Sequence, residues 1–353
     1  MQEIDAQTHL SLYRMGLLIR RTEEALIKEY AQQEMRCPMH FCIGQEGAPA
    51  ALSPLLRRED YVMSHYRSHG YYLAKGAPLA AMVAEFYGKA SGANGGTAGS
   101  MELAHDDLRF FSGAIVGGPL AIAMGLAFAL KYRGGDAIAV AVIGDGSLDE
   151  GISYESLNLA ALHGVPLLAI CENNRYAAHT PEAKRTLSRS LLERVKPFGL
   201  RAERLDGMDI AKLCADLRPV VDELRSRASN GPWFIEVETY RYCGHVGPEN
   251  DDWLDYRSAD EIAAWRQRDP VALARVQALS AGVSEASLLE VEQAVEQEIA
   301  AAFETAKQAH FPSYDWSLAQ VSADSYAPIV SDFIGSRATA FDSHQAETRL
   351  KPY

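Results

Sequence analysis

Basic residues are in short supply. The 353-residue chain carries 34 Lys and Arg against 47 Asp and Glu, a formal net charge of -13. Phosphate-backbone binding needs clustered Lys and Arg, so nucleic acid is excluded as a partner, whereas one small anion in a local pocket is not. Cysteine is sparse too. Cys37, Cys42, Cys171, Cys214 and Cys243 form no C-x-x-C pair and have no zinc-ligand spacing. Cys171 closes an apolar run and reads as a buried thiol. The longest apolar stretch, Gly117 to Leu130, falls short of the roughly 20 residues that cross a bilayer. Met1 to Gln7 is polar and acidic with no apolar segment behind it, so neither a secretory signal nor a membrane association is expected, and the expected compartment is a reducing cytoplasm. Internal repeats and low-complexity tracts are absent.

What is present is a hydrophobic content of 48% with 23% charged residues, ordinary for a chain with a sizeable core. The length fits one large α/β domain with appendages better than two equal domains. Leu12, Met15, Ile19 and Leu26 recur at helical spacing and predict an amphipathic helix. Gly44 to Leu56 and Leu79 to Gly88 read as further helices. The run SGANGGTAG before Ser100 reads as a loop, either flexible or made for close approach to a ligand. Gly117 to Leu130, apolar all round, predicts a buried helix against a sheet.

From there helices and strands alternate. Ile138 to Ile143 is a short apolar run suited to a parallel strand covered on both faces. Ser147 to His163 is helical, with Ser147 and Glu150 spaced as a capping box. Pro166 to Cys171 is a second buried strand, Ile210 to Ala228 a helix, and Trp233 to Val237 a third strand. The class expected is therefore α/β, a doubly wound and mostly parallel sheet with helical N- and C-terminal appendages. The division expected is an arm over 1–34, the α/β domain over 35–260, helices over 261–310 and a tail over 311–353. Within the third part, Leu288, Val291, Val295, Ile299 and Phe303 form one apolar stripe. The tail is expected to order against a partner.

The strongest chemical signal is Gly144-Asp145-Gly146, then twenty-six residues, then Asn173-Asn174. Both clusters follow a predicted strand, and one helix links the two strands. A βαβ unit puts both at the carboxyl edge of neighbouring strands, where open α/β sheets bind ligands. Glycines beside Asp145 allow backbone to approach a bulky anion, and a helix starting at Ser147 would aim its N-terminus there. A carboxylate with an amide oxygen is a hard-oxygen donor set suited to Mg2+ that brings phosphate oxygens of its own. A G-D-G alone would be only a strand-end turn; the pair in this context points to a magnesium–diphosphate clamp.

With its surroundings, VIGDGSLDEG and LNLAALHGVPLLAICENNRYA, the pair resembles the motif of thiamine diphosphate enzymes. The chain is similar to alpha subunits of the thiamine-dependent component of 2-oxo acid and acetoin dehydrogenases, from about Leu12 to about Pro328. The resemblance implies a thiamine diphosphate-binding domain, with Asp145 and Asn174 as side-chain Mg2+ ligands and Tyr176 lending its carbonyl. Gly146 and Ser147 match diphosphate contacts, and Tyr66 and Arg67 in SHYRSHG match the pair that holds the diphosphate. His245 in RYCGHVG matches the histidine that reaches the diphosphate and the reacting end of the cofactor, and so the catalytic position. Val116 in SGAIVGG matches the backbone anchor of the aminopyrimidine ring, and GQEG at Gly44 to Gly47 matches the family's first helix signature. His69 stands in the same motif as Arg67 and reads as a structural neighbour.

The implied activity is decarboxylation of a 2-oxo acid and transfer of the acyl unit to a lipoyl group on a partner acyltransferase. The other domain that completes such a site is implied to lie on a separate beta subunit, in an α2β2 assembly. Three departures stand out: Cys243-Gly244-His245-Val246 replaces H-G-H-S, Ser100-Met101-Glu102 replaces S-M-H, and the substrate-side CPMHFCIG lacks an aromatic-Cys-His arrangement. They leave a carboligase or an acetoin dehydrogenase as alternatives, and a non-catalytic regulatory subunit as one from another class. A nucleotide-binding dehydrogenase would need G-x-G-x-x-G after an early strand, which does not occur.

Overall fold

A seven-stranded sheet in the order β2-β3-β1-β4-β5-β9-β8 organises the computed structural model, which describes residues 4–35, 37–187, 190–227 and 231–313. The strands are β1 Tyr61–His65, β2 Ala104–His105, β3 Phe110–Gly113, β4 Ala139–Gly144, β5 Leu167–Asn173, β8 Arg201–Asp206 and β9 Trp233–Glu238. A separate two-residue ladder pairs β6 Tyr176–Ala177 with β7 Thr180–Pro181. Every pairing in the main sheet is parallel except β2 with β3. The expected α/β, doubly wound and mostly parallel class is what the chain adopts, and the described residues through Pro312 form one compact unit.

The helices are α1 Ala6–Tyr30, α2 Gly47–Leu52, α3 His69–Ala74, α4 Leu79–Phe86, α5 Gly118–Arg133, α6 Gly151–His163, α7 Glu182–Arg185, α8 Leu191–Val195, α9 Ile210–Ser226, α10 Ala259–Arg266, α11 Pro270–Ser280 and α12 Glu285–Gln308. Alternation along the central strands sorts them onto two faces. Val140 and Val142 of β4, with Leu168 and Ile170 of β5, pack into a core shared with α1, α2, α4, α9, α11 and α12. Ala139, Ala141 and Ile143, with Leu167, Ala169 and Cys171, face the other way onto α5, α6 and α8. Strands buried on both faces must read as continuous apolar runs, which is why β4 and β5 stand out in the sequence. Each such Leu or Ile contributes about 1.5–3 kcal/mol by leaving water. Cys171 is the inert buried thiol expected.

The apolar stripe of the C-terminal region forms α12, with Leu288, Val295, Ile299 and Phe303 buried against α1 and α4. The N-terminal amphipathic helix is α1, burying Leu12, Ile19 and Leu26 against α11 and α12. The tail assigned to 311–353 lies almost wholly outside the described residues. Among the described residues, no helix is long and apolar enough to cross a membrane.

Several local expectations are corrected. The helix expected over Gly44 to Leu56 is confined to Gly47–Leu52, because Gly44 is left-handed at φ +92° and packs under the Tyr240 carbonyl. The capping box at Ser147 does not form: Asp145–Asp149 is a 3-10 turn, Glu150 is extended, and α6 starts only at Gly151. The Ser147 carbonyl instead accepts from the Ser153 hydroxyl at 2.5 Å. Helix α5 is not buried all round, since Ile122 is 53% and Tyr132 72% exposed. The glycine-rich loop folds around one side chain of α4. The Glu85 carboxylate gathers the backbone N–H groups of Asn94, Gly96, Ala98 and Gly99 at 2.7–3.0 Å, so the glycines serve a tight wrap around one buried anion.

Candidate functional site

Five neighbouring parallel strands, β3, β1, β4, β5 and β9, end along one edge of the sheet, and each delivers one of the motifs singled out above. The registers that align these ends are His65 with Gly113, Gly144 with Glu172, and Asn173 with Glu238. Val116 follows β3, Tyr66 and Arg67 follow β1, and Asp145, Gly146 and Ser147 follow β4. Asn174 and Tyr176 follow β5, and His245 lies beyond β9. All nine line one cavity of ≈ 480 Å³. The chain leaves β1 for β3 on one side and reaches β4 on the other, so the cavity opens at the point where strand order reverses.

Asp145 is buried at the start of the turn after β4. Burial pushes its carboxyl up to about 6 against the opposing pull of Arg185. Arg185, at the end of α7, bridges Asp145 and Asp149, and Arg194 also reaches Asp149 at 3.0 Å. A fixed monocation thus covers the carboxylate. Gly146 is required where it stands, since a Cβ would lie 2.8 Å from that of Ala177 in the β6–β7 hairpin. At Gly144 a Cβ would meet nothing within 4 Å, so the glycine keeps a stretch of cavity wall open. Asn174 Oδ1 accepts the Tyr176 N–H at 3.1 Å, an Asx turn that closes the chain directly after β5. The Tyr176 hydroxyl points elsewhere, donating to Glu261.

Arg67 is almost fully buried and braces the opposite wall, donating to the carbonyls of Phe41 and His245, the latter at 3.1 Å. His245 is anchored through its backbone, its N–H donating to Asp251 at 2.7 Å. Its ring lies 5.0 Å from that of His40 and 6.0 Å from those of Tyr66 and His179. Burial first, then the nearby Arg67 and Arg241 charges, drive the His245 imidazole down to about 3, so it is neutral at physiological pH. His40 is pushed down to about 2 for the same first reason, and its buried Nδ1 has no hydrogen-bond partner among the described residues. Two neutral imidazoles thus line the cavity together with the carboxylates of Asp145, Asp149 and Glu172.

His69, by contrast, is a structural residue as expected. Its ring is held between Glu23 at 2.6 Å and Ser100 at 2.7 Å, away from the cavity. Residues that motif reading left without a role also line the cavity: His40, Gln45, His65 and Glu172. Gln45 lay in plain view inside GQEG, and Glu172 directly precedes the Asn pair. Nothing in the sequence marked Arg185.

The donor set, a buried carboxylate with an amide oxygen and a backbone carbonyl, suits a hard divalent cation that brings further oxygens. The open cradle at Gly144 and the cationic stand-in at Arg185 agree with a cation and a bulky anion at this edge.

A family model described as "Dehydrogenase E1 component" matches residues 13–314. Relatives carry the name pyruvate dehydrogenase E1 component subunit alpha. One from Rickettsia bellii is 33% identical over 317 residues, covering 89% of this chain and 96% of its own. One from Zymomonas mobilis is 35% identical over 312 residues, covering 88% and 87%. One from Rhizobium meliloti is 36% identical over 271 residues, covering 76% of each.

Proposed function

The chain belongs to the dehydrogenase E1 component family, as an alpha subunit of a 2-oxo acid dehydrogenase, and from that premise we propose that its cavity holds the diphosphate end of thiamine diphosphate with Mg2+. The observation that carries the reading is the convergence of nine separately predicted residues, from five strand ends, on one cavity. Asp145, Asn174 and the Tyr176 carbonyl would hold the cation. Gly146, Ser147, Tyr66 and Arg67 would meet the diphosphate, and Val116 the aminopyrimidine ring. Bound there, the cofactor would supply an electron sink for decarboxylation of a 2-oxo acid, with pyruvate suggested by the relatives' names.

The chain's own part is positional and protonic. Arg67 sets His245 by gripping its carbonyl, and Asp251 holds the same residue's N–H. A neutral His245 can accept a proton at one ring nitrogen and donate from the other, as a group placed at a reacting end must. His40, its ring 5.0 Å from that of His245 and on the same cavity wall, would sit beside the substrate.

Exposed apolar side chains begin at the cavity wall, at Ile115 and Val116, and continue on α5 with Ile122 and on α6 with Ile152, Leu159 and Leu162. Gly125 sits in the middle of α5 with open space over it, a residue that costs about 1 kcal/mol in a helix unless something packs closely there. An apolar surface bordering a site fits a permanent protein partner. The partner proposed is a beta subunit, in an α2β2 assembly that delivers the acyl unit to a lipoyl-bearing acyltransferase.

The test is calorimetric titration of thiamine diphosphate with Mg2+ into this chain, alone and with its beta partner. Saturable, Mg2+-dependent binding that appears or tightens with the partner, and vanishes in Asp145→Ala, is the expected result. An absence of binding in both conditions overturns the reading and favours a regulatory subunit.

A further inference from the structure

Beneath the proposed cation ligands lies a buried relay. The Glu172 carboxylate, 2% exposed, accepts from the Tyr71 hydroxyl at 2.8 Å, from His65 Nε2 at 2.9 Å and from Gln45 Nε2 at 3.2 Å. His65 has no freedom in this. Its Nδ1 accepts the Arg67 N–H at 3.1 Å, so the ring proton sits on Nε2 and points at Glu172. Both ring nitrogens are therefore engaged, and His65 serves as a fixed donor.

An ionised carboxylate only accepts. Gln45 must therefore turn its NH2 toward Glu172, which leaves Gln45 Oε1 on the far side. There it accepts from Asn174 Nδ2 at 3.2 Å. The Tyr176 N–H imposes the same direction on Asn174 from the other end, donating to Oδ1 at 3.1 Å. The direction of each amide is thus dictated by the hydrogen bonds around it. Reversing Gln45 would set its oxygen against an acceptor-only carboxylate inside the protein, with a buried NH2 facing another NH2.

The GQEG motif is built for this. Gly44 is left-handed, and a Cβ on it would lie 2.3 Å from the Tyr240 carbonyl. Glu46 is buried, gripped by Arg20, and receives the Gly44 N–H at 3.0 Å. A Cβ at Gly47 would lie 1.7 Å from the Gly207 carbonyl. Three of the four residues hold the turn rigid, and the fourth, Gln45, is 2% exposed and aimed between Glu172 and Asn174.

We propose that Glu172 and Gln45 are positioning residues: the carboxylate fixes the direction of the Gln45 amide, and Gln45 fixes that of Asn174, so that Asn174 Oδ1 is the atom offered to the cation. This rests on the reading of Asn174 as a cation ligand. Partners of this kind, one bond behind a metal ligand, change metal affinity by about 10–100-fold when removed.

The experiment uses the chain assembled with its beta partner and measures three quantities: the Mg2+ affinity at saturating thiamine diphosphate, the turnover at saturating Mg2+, and the melting temperature without ligand. Gln45→Met keeps the length of the side chain and removes both amide roles. It is expected to weaken Mg2+ by about 10–100-fold, with turnover largely restored at high Mg2+. Glu172→Gln keeps the shape but can donate, so it frees the Gln45 amide to reverse and is expected to weaken Mg2+ in the same direction, by less. Mn2+ titration followed by electron paramagnetic resonance reads the same affinities without turnover. Unchanged Mg2+ and Mn2+ affinity in either variant overturns that residue's assignment. A loss that follows melting temperature alone, and that excess Mg2+ leaves in place, makes the relay merely structural and overturns the proposal. Failure of the unsubstituted protein to bind in an Mg2+-dependent way is a different result, which strikes the cofactor reading itself.

Discussion

Replacing Arg185 with methionine should drive stability and cation affinity in opposite directions. In the ligand-free protein the Arg185 guanidinium joins Asp145 to Asp149, with its side chain 11% exposed and that of Asp145 3%. Methionine keeps the aliphatic stem and removes the charge. Asp149 keeps Arg194, whereas Asp145 loses the cation that covers it. Breaking a buried pair by removing one partner costs about 3–5 kcal/mol while the other stays ionised. A carboxyl can escape that cost by taking a proton, so the effect depends on pH. Asp145 stands near 6 with Arg185 present, and moves higher once it is gone. An acid raised in the folded state favours the protonated form, so the fold loses stability as pH climbs from the unfolded value of 3.8 to the folded one. In the parent protein that loss ends near pH 6; in the variant it continues at about 1.4 kcal/mol per pH unit. Urea unfolding of the ligand-free protein should therefore show little difference at pH 5 and up to about 3 kcal/mol at pH 8. Magnesium titration at pH 8 should move the other way, tightening about tenfold or more, because no pairing need be broken first. A stability deficit equal at every pH, or weaker cation binding in the variant, would refute the reasoning.

Gly146→Ala should push Ala177, and with it the β6–β7 hairpin, away from the turn after β4, costing about 1–3 kcal/mol by overpacking and weakening thiamine diphosphate binding; thermal melts and calorimetry check both. His40→Gln should blunt acid sensitivity. A histidine driven down to about 2 supports the fold above its unfolded value of 6.5 and withdraws about 1.4 kcal/mol per pH unit below it. By pH 5 the stability gap between parent and variant should have shifted by roughly 2 kcal/mol in the variant's favour, read by urea unfolding at pH 7.5 and 5. Arg225→Met should cost about 3–5 kcal/mol of unfolding free energy, because Asp60 is fully buried and held by that guanidinium at 2.6 and 2.8 Å; an unchanged urea midpoint would sink this.

What could be read in the sequence was what burial imposes on composition. Strands β4 and β5, covered on both faces, announced themselves as apolar runs, and α12 as a stripe. Strand β1 went unread because Ser64 and His65 interrupt its apolar character just where it enters the site. Strand β8 carries Arg201, Glu203, Arg204 and Asp206 on the sheet's edge, a pattern that looks like solvent-exposed chain. The strand β3 that presents Val116 is four residues long, too short for periodicity to speak. The site was legible through motifs, which mark positions and leave partners unstated. Tyr66 and Arg67 do line the cavity, yet nothing in SHYRSHG says that Arg67 spends two donors on backbone carbonyls. Contacts such as Arg185 with Asp145 join residues forty apart through a hairpin and a short helix, and no local pattern encodes them.

The same separation explains why the candidate site sits where it does. Carboxyl ends of parallel strands expose turns whose side chains need not pack, so they can carry Asp145, Asn174 and His245 while the strands below supply rigidity. That rigidity must reach the ligating atoms, and a flexible amide such as that of Asn174 would waste it. The buried chain from Glu172 through Gln45 closes the gap, because an acceptor-only group anchored on β5 transmits its polarity one hydrogen bond at a time. The cost is a buried carboxylate, offset by three donors. Ile115 at the cavity, Ile122 on α5 and Leu162 on α6 remain exposed. Exposed apolar side chains that begin at an ordered cavity are what the proposed beta subunit would cover.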